Sequence, residues 1–457
     1  MLRETLASIV LMIGAAAMGF GADQPPNIIW FIGDDVGPQE FGCYGHPNIQ
    51  TPNVDRLAGQ GVRFRNAFVT TSSCSPSRAT MFTGKYPHAT GAENLHDPLP
   101  NEQRILPQML KGKGYHSAIC GKFHLGKATV PKFDVIRNKV GDWKAVMDRR
   151  PKDSPFFLTV SFYDAHRPFA RGCVSPPTRP EDVVVPPYIP DISEARKEYA
   201  GFYDEIRQID EVVGEVMQRL ERDGLADNTL VVFFGDNGPP FPRAKTTLYD
   251  SGIKTPLVVR WPARIKHSFV TAALFSTVDL VPTCLAAAGI DIPKDVQGMN
   301  LLNTFTAPAA AGRAYVFAER NWHDYDDHSR AVRTVHFKYI RNAFADRPLA
   351  GSADSITQPL FQRMRIMRDD GTLTPQQMLL FRSTRAAEEL YALADDPNEF
   401  RNVAADPAYA PVLTRMRTTL DRWIDRTKDI SPDKALPDEF DLETGKRIRP
   451  PHQHKKK

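Results

Sequence analysis

Two segments of the sequence are apolar without interruption and end in the same way. Residues 28–32 read IIWFI and precede the tripeptide GDD, while residues 230–234 read LVVFF and precede GDN. Strands that are apolar on both faces are typical of a parallel sheet covered by helices on both sides. We interpret residues 156–162 (FFLTVSF) and 255–262 (TPLVVRWP) as strands of the same kind. Such strands require a layered fold, in which helices cover both faces of the sheet.

Helical patterns alternate with these strands. Residues 53–61 and 105–114 are short amphipathic segments, and residues 195–224 form a long one that ends at Gly224, a favourable helix stop. Strands that alternate with helices predict an α/β domain. After about Pro308 the sequence predicts short antiparallel strands and one last helix, which indicates a smaller α+β domain.

The N-terminal residues predict a secretory signal peptide. Arg3 precedes an apolar stretch at 6–20 that is too short to span a bilayer comfortably, and small residues follow near position 22. We therefore expect export to the periplasm or the medium. The predicted organisation is a signal peptide at 1–22, a main α/β domain at 23–307, an α+β domain at 308–440 and a basic tail at 441–457.

Charge and cysteine content exclude several classes of protein. A formal net charge of +4 is too small to indicate nucleic-acid binding. The five cysteines show no metal-binding spacing, and their number is odd in a chain expected to be exported. Cys74 stands out in the segment TTSSCSPSRATMFTGKYP, in what we interpret as a tight turn. No histidine lies near it in sequence to serve as a base, so a cysteine hydrolase is not favoured.

The polar residues after the first two strands predict a cation site. Asp34 and Asp35 follow one strand, and Asp236 and Asn237 follow the other. The carboxyl ends of parallel strands meet at one edge of a sheet, so these groups should lie together. Such a set of oxygen ligands suits calcium, and magnesium is possible. The alternative is two separate pairs of exposed turn residues.

Basic residues near other strand ends indicate an anionic substrate. Lys122 and His124 are two residues apart, so an extended strand would point both to the same face. His166 lies in DAHRP, and Lys245 lies in PRAKTTLYDSG. Cationic and proton-donating groups around a cation site favour an oxyanion substrate. Each of these residues, taken alone, could equally be an ordinary surface residue.

The sequence resembles the type I, formylglycine-dependent sulfatases. The resemblance rests on C-x-P-S-R at 74–78 with a downstream TG, together with GDD, GK-x-H-x-G and GDNG, and extends from Asn27 to the last helix. It implies an alkaline-phosphatase-like fold, in which a large mixed sheet is flanked by helices and followed by the smaller α+β domain. It also implies that a formylglycine-generating enzyme oxidises Cys74 to an aldehyde.

The resemblance implies a metal site and a nucleophile. The aldehyde is hydrated, one of its two hydroxyls attacks sulfur, and collapse of the other expels sulfate. The implied ligands of the calcium ion are Asp34, Asp35, Asp236, Asn237 and the formylglycine at position 74.

The resemblance also implies roles for the basic residues. Arg78 supports the aldehyde hydrate, and Lys122 and His124 contact the sulfate and the hydrate. His166 is the general acid that protonates the departing atom, and Lys245 holds sulfate oxygens. Lys122, His166 and Lys245 therefore also belong to the substrate-binding set.

Several stretches are most similar to the heparan N-sulfatase (sulfamidase) branch, especially DNGPPFPRAKTTLYDSG and VFAERNWHDYDDHSRAVRTVHFKYIRN. Lys245 departs from the arginine expected there. The resulting expectation is a sulfatase of sulfated saccharides that acts on N-sulfoglucosamine. His323 either contacts the substrate or is a packed polar residue. The alternatives are an O-sulfatase, a related phosphoesterase or phosphonate hydrolase, and a non-catalytic binder of sulfated glycans.

Overall fold

The protein is described from a computed structural model, in which residues 25–170 and 172–450 are placed. The expected signal peptide at 1–22 and the final lysines at 455–457 lie outside the described residues. In the described part of the chain, no helix has the length and apolar character that crossing a bilayer requires.

A large sheet forms the centre of the molecule. Its strands are β1 (Asn27–Gly33), β2 (Val62–Phe68), β3 (His116–Gly121), β4 (Val135–Arg137), β5 (Phe156–Ser161), β6 (Thr229–Gly235), β7 (Leu257–Arg260) and β8 (Phe269–Ser276). Within residues 25–170 and 172–450 the spatial order of these eight strands is β4-β3-β5-β1-β6-β7-β2-β8. The expectation of a large mixed sheet is confirmed.

The direction of β7 differs from the sequence-based expectation of a fourth parallel strand. β7 pairs antiparallel with both β6 and β2. The chain leaves β6, stays at the same rim of the sheet through residues 236–256, and enters β7 from that rim. A strand that is buried on both faces has the same apolar composition in either direction, so its sequence does not encode the direction.

Helices cover both faces of the large sheet. They are α1 (Pro52–Gly59), α2 (Cys74–Thr83), α3 (Pro87–Thr90), α4 (Leu106–Leu110), α5 (Trp143–Arg149), α6 (Ser193–Arg222), α7 (Asp250–Ile253), α8 (Leu280–Ala287) and α9 (Asn303–Thr306). The long helix α6 packs its apolar stripe against one face of β1 and β6, whereas α2 and α8 lie on the other face. As predicted, α6 stops near Gly224, which adopts a left-handed φ of 69°.

A small antiparallel sheet follows the large one. Its strands lie in the order β12-β11-β10-β9, and they are β9 (Val316–Arg320), β10 (Ser329–Arg333), β11 (Phe337–Asn342) and β12 (Glu388–Ala392). The associated helices are α10 (Ala353–Ile356), α11 (Pro359–Asp369) and α12 (Ala410–Thr427). Helix α12 packs on the sheet through Trp423, whose ring stacks on Phe317 with centroids 5.0 Å apart.

The domain boundaries can be placed on this structure. The boundary at 307/308 falls in the loop between α9 and β9. The boundary at 440/441 instead divides one hairpin, because Phe440 pairs with Arg447 and the amide of Ile448 donates to the carbonyl of Glu439. Residues 441–450 therefore belong to the folded α+β region and are not part of a separate tail.

A buried ion cluster joins the small sheet to the large one. The fully buried ammonium of Lys338, on β11, lies 2.6 Å from Asp250 Oδ1 and 2.6 Å from Glu399 Oε1. Asp250 begins α7, in the loop between β6 and β7. The cluster therefore fixes the small sheet against the loop that follows β6.

We expect Lys338→Met to lower the free energy of unfolding by about 3–5 kcal/mol, because the change leaves the buried carboxylate of Glu399 without its cation, while Asp250 keeps its ion pair with Arg333. Denaturant titration measures the change. The matched control is Lys144→Met, which removes an exposed lysine paired with Glu215 and should shift stability by at most about 0.5 kcal/mol. Equal stability losses in the two variants would contradict the prediction.

Candidate active site

The polar residues after β1 and β6 lie side by side because the two strands are in register. Gly33 pairs with Gly235, so the residues that follow emerge at the same level of the sheet. The Asp35 amide donates to Asp236 Oδ1 at 3.0 Å, and Asn237 Nδ2 donates to Asp35 Oδ1 at 2.7 Å. These groups therefore lie together at one edge of the sheet, as predicted.

The donor set at this edge fits a divalent cation. Carboxylate oxygens of Asp34, Asp35 and Asp236 lie within 4.8 Å of one another, and all three residues are fully buried. Asp34 Oδ1 and Asn237 Oδ1 are buried and accept no hydrogen bond. Unsatisfied hard oxygen atoms in a carboxylate cluster are suitable ligands for calcium or magnesium. Burial drives the pKa of Asp34 well above its ordinary value, which is the cost that a cation would offset.

Three buried cations surround the carboxylates. Arg78 Nε donates to Asp236 Oδ2 at 2.7 Å, Lys245 Nζ donates to Asp35 Oδ2 at 2.8 Å, and Lys122 pairs with Asp34. Arg78 also donates to Ser161 Oγ at 2.6 Å and is fully buried. Arg78 therefore neutralises and orients a carboxylate of the cluster. Its implied contact with an aldehyde hydrate stays a prediction.

Cys74 does not lie in a turn, as the sequence suggested, but is the first residue of α2. Pro76 fits the first turn of this helix because its missing N–H would be unpaired there. Cys74 and Arg78 are one helical turn apart and so share a face. Burial raises the pKa of the Cys74 thiol to about 11, outweighing the attraction of nearby lysines, which keeps the unmodified thiol protonated.

Lys122 and His124 reach the site by a different geometry from the one expected. β3 ends at Gly121 with φ 99°, and His124 has φ 51°, so the two residues lie in an irregular loop and not on a strand. Both side chains nevertheless line the same cavity. His124 Nε2 lies 2.9 Å from His96 Nδ1, and burial lowers the pKa of His124 to about 2, which keeps its imidazole neutral.

His166 follows β5 and faces the carboxylates. Its Nδ1 lies 2.7 Å from the carbonyl oxygen of Arg167, which only accepts, so Nδ1 carries a proton. Its Nε2 lies 3.9 Å from Asp35 Oδ2, and one third of the side chain is exposed. The exchangeable nitrogen therefore points into the site, the orientation a general acid requires.

His323 enters the site from the small domain. It lies in the segment after β9, its Nδ1 is 2.8 Å from Ser73 Oγ, and only 4% of the residue is exposed. Burial lowers its pKa well below the ordinary value, so it is neutral. His323 is thus a packed polar residue that also lines the cavity. Its contact with substrate stays a prediction.

A cavity of about 480 Å³ is lined by residues of both domains. Six of the predicted residues line it, namely Cys74, Lys122, His124, His166, Lys245 and His323. The sequence reasoning missed seven further lining residues, and four of them carry polar or aromatic side chains, namely His96, Asp324, Asp354 and Phe440. None of these four belongs to a motif, and they come from a surface turn and from the small domain. Only their position in the lining of the cavity identifies them.

Comparison with known families and proteins agrees with this geometry. Residues 26–141 and 140–290 match the family named Sulfatase, and residues 243–347 match N-sulphoglucosamine sulphohydrolase, C-terminal. The chain is 32% identical to human N-sulphoglucosamine sulphohydrolase, over 92% of this chain and 94% of that protein. It is 30% identical to an ulvan-active sulfatase of Formosa agariphila, over 93% of this chain and 78% of that protein.

Solved structures show the same fold. A protein in complex with its substrate D-glucosamine-2-N,6-O-disulfate superposes with a TM-score of 0.70 and 20% identity, covering 90% of this chain and all of that one. The phosphonate monoester hydrolase of Agrobacterium radiobacter superposes with a TM-score of 0.69 and 19% identity, covering 88% of this chain and 96% of that one. At these identities the likeness concerns the fold alone.

The fold is of the alkaline-phosphatase-like class, and a buried carboxylate cluster lies at the ends of β1 and β6. The chain belongs to the sulfatase family and hydrolyses sulfate esters or sulfamates. Members of this family generally use a formylglycine and a divalent metal.

We expect removal of divalent metal with a chelator to lower the melting temperature, and calcium to restore it. A ligand present at about 100 times its Kd stabilises a folded protein by about 2.7 kcal/mol. Asp35→Asn should weaken calcium binding by about 100-fold, because it removes a charge from the ligand set. Thermal melting and calorimetric titration measure both effects.

The matched control for the metal site is Asp295→Asn, which changes an exposed carboxylate paired with Lys85. This variant should bind calcium as the wild type does. A metal-free protein whose melting temperature responds to neither calcium nor magnesium would show that the carboxylate cluster is not a metal site.

Proposed function

We propose that the protein removes sulfate from N-sulfoglucosamine units of heparin- or heparan-type glycans, using a formylglycine derived from Cys74 and a calcium ion. The observation that carries this proposal is the match of residues 243–347 to N-sulphoglucosamine sulphohydrolase, C-terminal. This segment contains Lys245 and His323, and both face the cavity that Cys74 lines. The matched segment therefore contributes residues to the wall of the cavity.

The position of Cys74 supports a modified nucleophile. Its side chain is buried and lines the cavity, and its thiol is held in the protonated form, which is a poor nucleophile. A formylglycine hydrate would supply two hydroxyls on one carbon, one to attack sulfur and one whose collapse expels sulfate. This chemistry needs a maturation enzyme as a partner.

The other residues bind and orient the substrate. Lys122 and Lys245 are cations that line the cavity beside the carboxylate cluster, where they neutralise sulfuryl oxygens. His166 delivers a proton from Nε2 to the departing atom. A cation held by Asp34, Asp35 and the residues after β6 would supply further positive charge.

Export is part of this proposal. The basic residue at position 3 and the short apolar stretch at 6–20 support secretion to the periplasm or the medium. Calcium is favoured over magnesium because calcium accepts crowded carboxylate ligands in a flexible geometry.

A second candidate is an O-sulfatase of another sulfated polysaccharide. The 30% identity to an ulvan-active sulfatase, over 93% of this chain, supports it. The site residues described above serve either reaction, since both break a bond to sulfur in the same type of anion.

Substrate assays separate these candidates. We expect sulfate release from N-sulfoglucosamine to exceed release from sulfated ulvan oligosaccharides and from an aryl phosphate under identical conditions, because of the likeness of residues 243–347. Ion chromatography measures sulfate directly. Faster cleavage of ulvan oligosaccharides would establish the second candidate, and faster cleavage of the phosphate would establish a phosphoesterase.

We expect the tryptic peptide Asn66–Arg78, from protein made in a host that matures sulfatases, to carry an aldehyde or its hydrate at Cys74. Peptide mass spectrometry detects the change. Cys74→Ser should lose sustained turnover, because serine has no second hydroxyl, whereas Cys43→Ser should keep both the aldehyde and the activity. An unmodified Cys74 in active protein would refute the proposed nucleophile.

A further inference from the structure

Asp354, one of the lining residues that sequence motifs did not identify, lies beside the reacting groups. It comes from the first turn of α10, and its Oδ2 is 3.7 Å from His166 Nε2 and 3.4 Å from Lys245 Nζ. The hydroxyl of Ser355 lies 3.4 Å from Oδ1. Because the side chain is 29% exposed and lines the cavity, its carboxylate faces the space that a substrate enters.

The carboxylate of Asp354 is ionised and only partly neutralised. Burial would raise its pKa, but the attraction of Lys245 and a hydrogen bond from Ser352 outweigh burial, so the pKa lies well below the ordinary value. Lys245 lies closer to Asp35, at 2.8 Å, than to Asp354. The cavity therefore contains a fixed negative charge next to the proton donor, in a site otherwise built to attract an anion.

A carboxylate in this place affects the two classes of leaving group differently. Hydrolysis of a sulfamate consumes water and gives an ammonium ion and sulfate, because the nitrogen keeps its own proton and gains two. Hydrolysis of a sulfate monoester gives a neutral alcohol, sulfate and one released proton. A sulfamate nitrogen protonated by His166 before the S–N bond breaks carries positive charge, whereas a bridging oxygen accepts its proton only as the S–O bond breaks.

The electrostatic consequence follows from the position of Asp354. In sulfamate cleavage a new positive charge appears on the departing nitrogen, beside the carboxylate, which stabilises it. In ester cleavage the departing oxygen leaves as a neutral alcohol, so no new cation forms for Asp354 to stabilise. Opposite charges about 4 Å apart attract each other strongly at the effective dielectric of a protein surface.

We propose that Asp354 selects sulfamates over sulfate esters by stabilising the positive charge on the departing nitrogen. This inference rests on the proposed function, since it assigns the choice of N-sulfate to one side chain. Asp324, the other carboxylate of the cavity, does not share this position. Its Oδ2 accepts a hydrogen bond from the Ala353 amide at 2.8 Å and lies 3.7 Å from His323 Nε2.

A purely structural role for Asp354 would have a different effect on the two activities. If the carboxylate only orients His166 and Lys245, its removal slows cleavage of sulfamates and esters by the same factor. The ratio of the two activities therefore separates selection from positioning, and a simple loss of activity does not.

The test uses two substrates that differ only in the departing atom, N-sulfoglucosamine and glucose 2-O-sulfate. The values of kcat/KM for both are measured with matured wild type, Asp354→Asn, Asp354→Glu and the matched control Asp324→Asn. We expect Asp354→Asn to lower kcat/KM for N-sulfoglucosamine by about 10- to 100-fold and for glucose 2-O-sulfate by less than about threefold. Asp354→Glu should restore most of the selectivity, and Asp324→Asn should leave the ratio unchanged.

Product inhibition gives a second readout that does not depend on ester cleavage. Glucosamine is a cation at neutral pH and N-acetylglucosamine is not, so Asp354→Asn should raise the inhibition constant of glucosamine by about tenfold and leave that of N-acetylglucosamine unchanged. Thermal melting checks that each variant is folded.

The outcomes are distinguishable. Wild type that cleaves glucose 2-O-sulfate and not N-sulfoglucosamine overturns both the proposed function and this inference. Wild type that cleaves N-sulfoglucosamine, with equal losses on both substrates in Asp354→Asn and an unchanged glucosamine inhibition constant, keeps the proposed function and overturns the role of Asp354. The role of Asp354 is also overturned if Asp324→Asn lowers the ratio of sulfamate to ester cleavage as much as Asp354→Asn does. The selectivity would then depend on the total negative charge of the cavity.

Discussion

The mutual repulsion of three buried carboxylates is the constraint around which this molecule is arranged. Asp34, Asp35 and Asp236 lie within 4.8 Å of one another without solvent, because the register of β1 and β6 brings their strand ends together. Such a cluster is stable only with compensating positive charge. Arg78 from α2 and the lysines from two other loops supply part of that charge, and the oxygen atoms without partners leave room for a cation.

The compensating groups come from separate parts of the chain, so the site depends on the whole tertiary structure. Helix α2 contributes Cys74 and Arg78 one turn apart, and the loop after β6 contributes Lys245. The small domain closes the cavity with His323 and α10. The buried cluster around Lys338 holds that domain against the same loop, so the packing of the two sheets and the geometry of the cavity are connected.

The charge pattern of the cavity also bears on its chemistry. The lysines Lys122 and Lys245 in the lining give the cavity positive charge, which suits a sulfated or phosphorylated anion. In the mechanism proposed above, the Asp354 carboxylate, 3.7 Å from His166 Nε2, favours an amine as the leaving group. That proposal assigns the leaving-group preference to the small domain, whereas Cys74 and the carboxylate cluster lie in the large one.

Sequence alone determined the strands β1, β5 and β6 and the polar groups at their ends, because burial on both faces requires unbroken apolar runs and because strand ends share one rim. Motif spacing likewise pointed to Cys74 and Lys245. Only the tertiary structure decided the direction of β7, the irregular loop that carries Lys122 and His124, and the place of Asp354. Each of these depends on contacts between segments far apart in the chain, and local composition carries no record of such contacts.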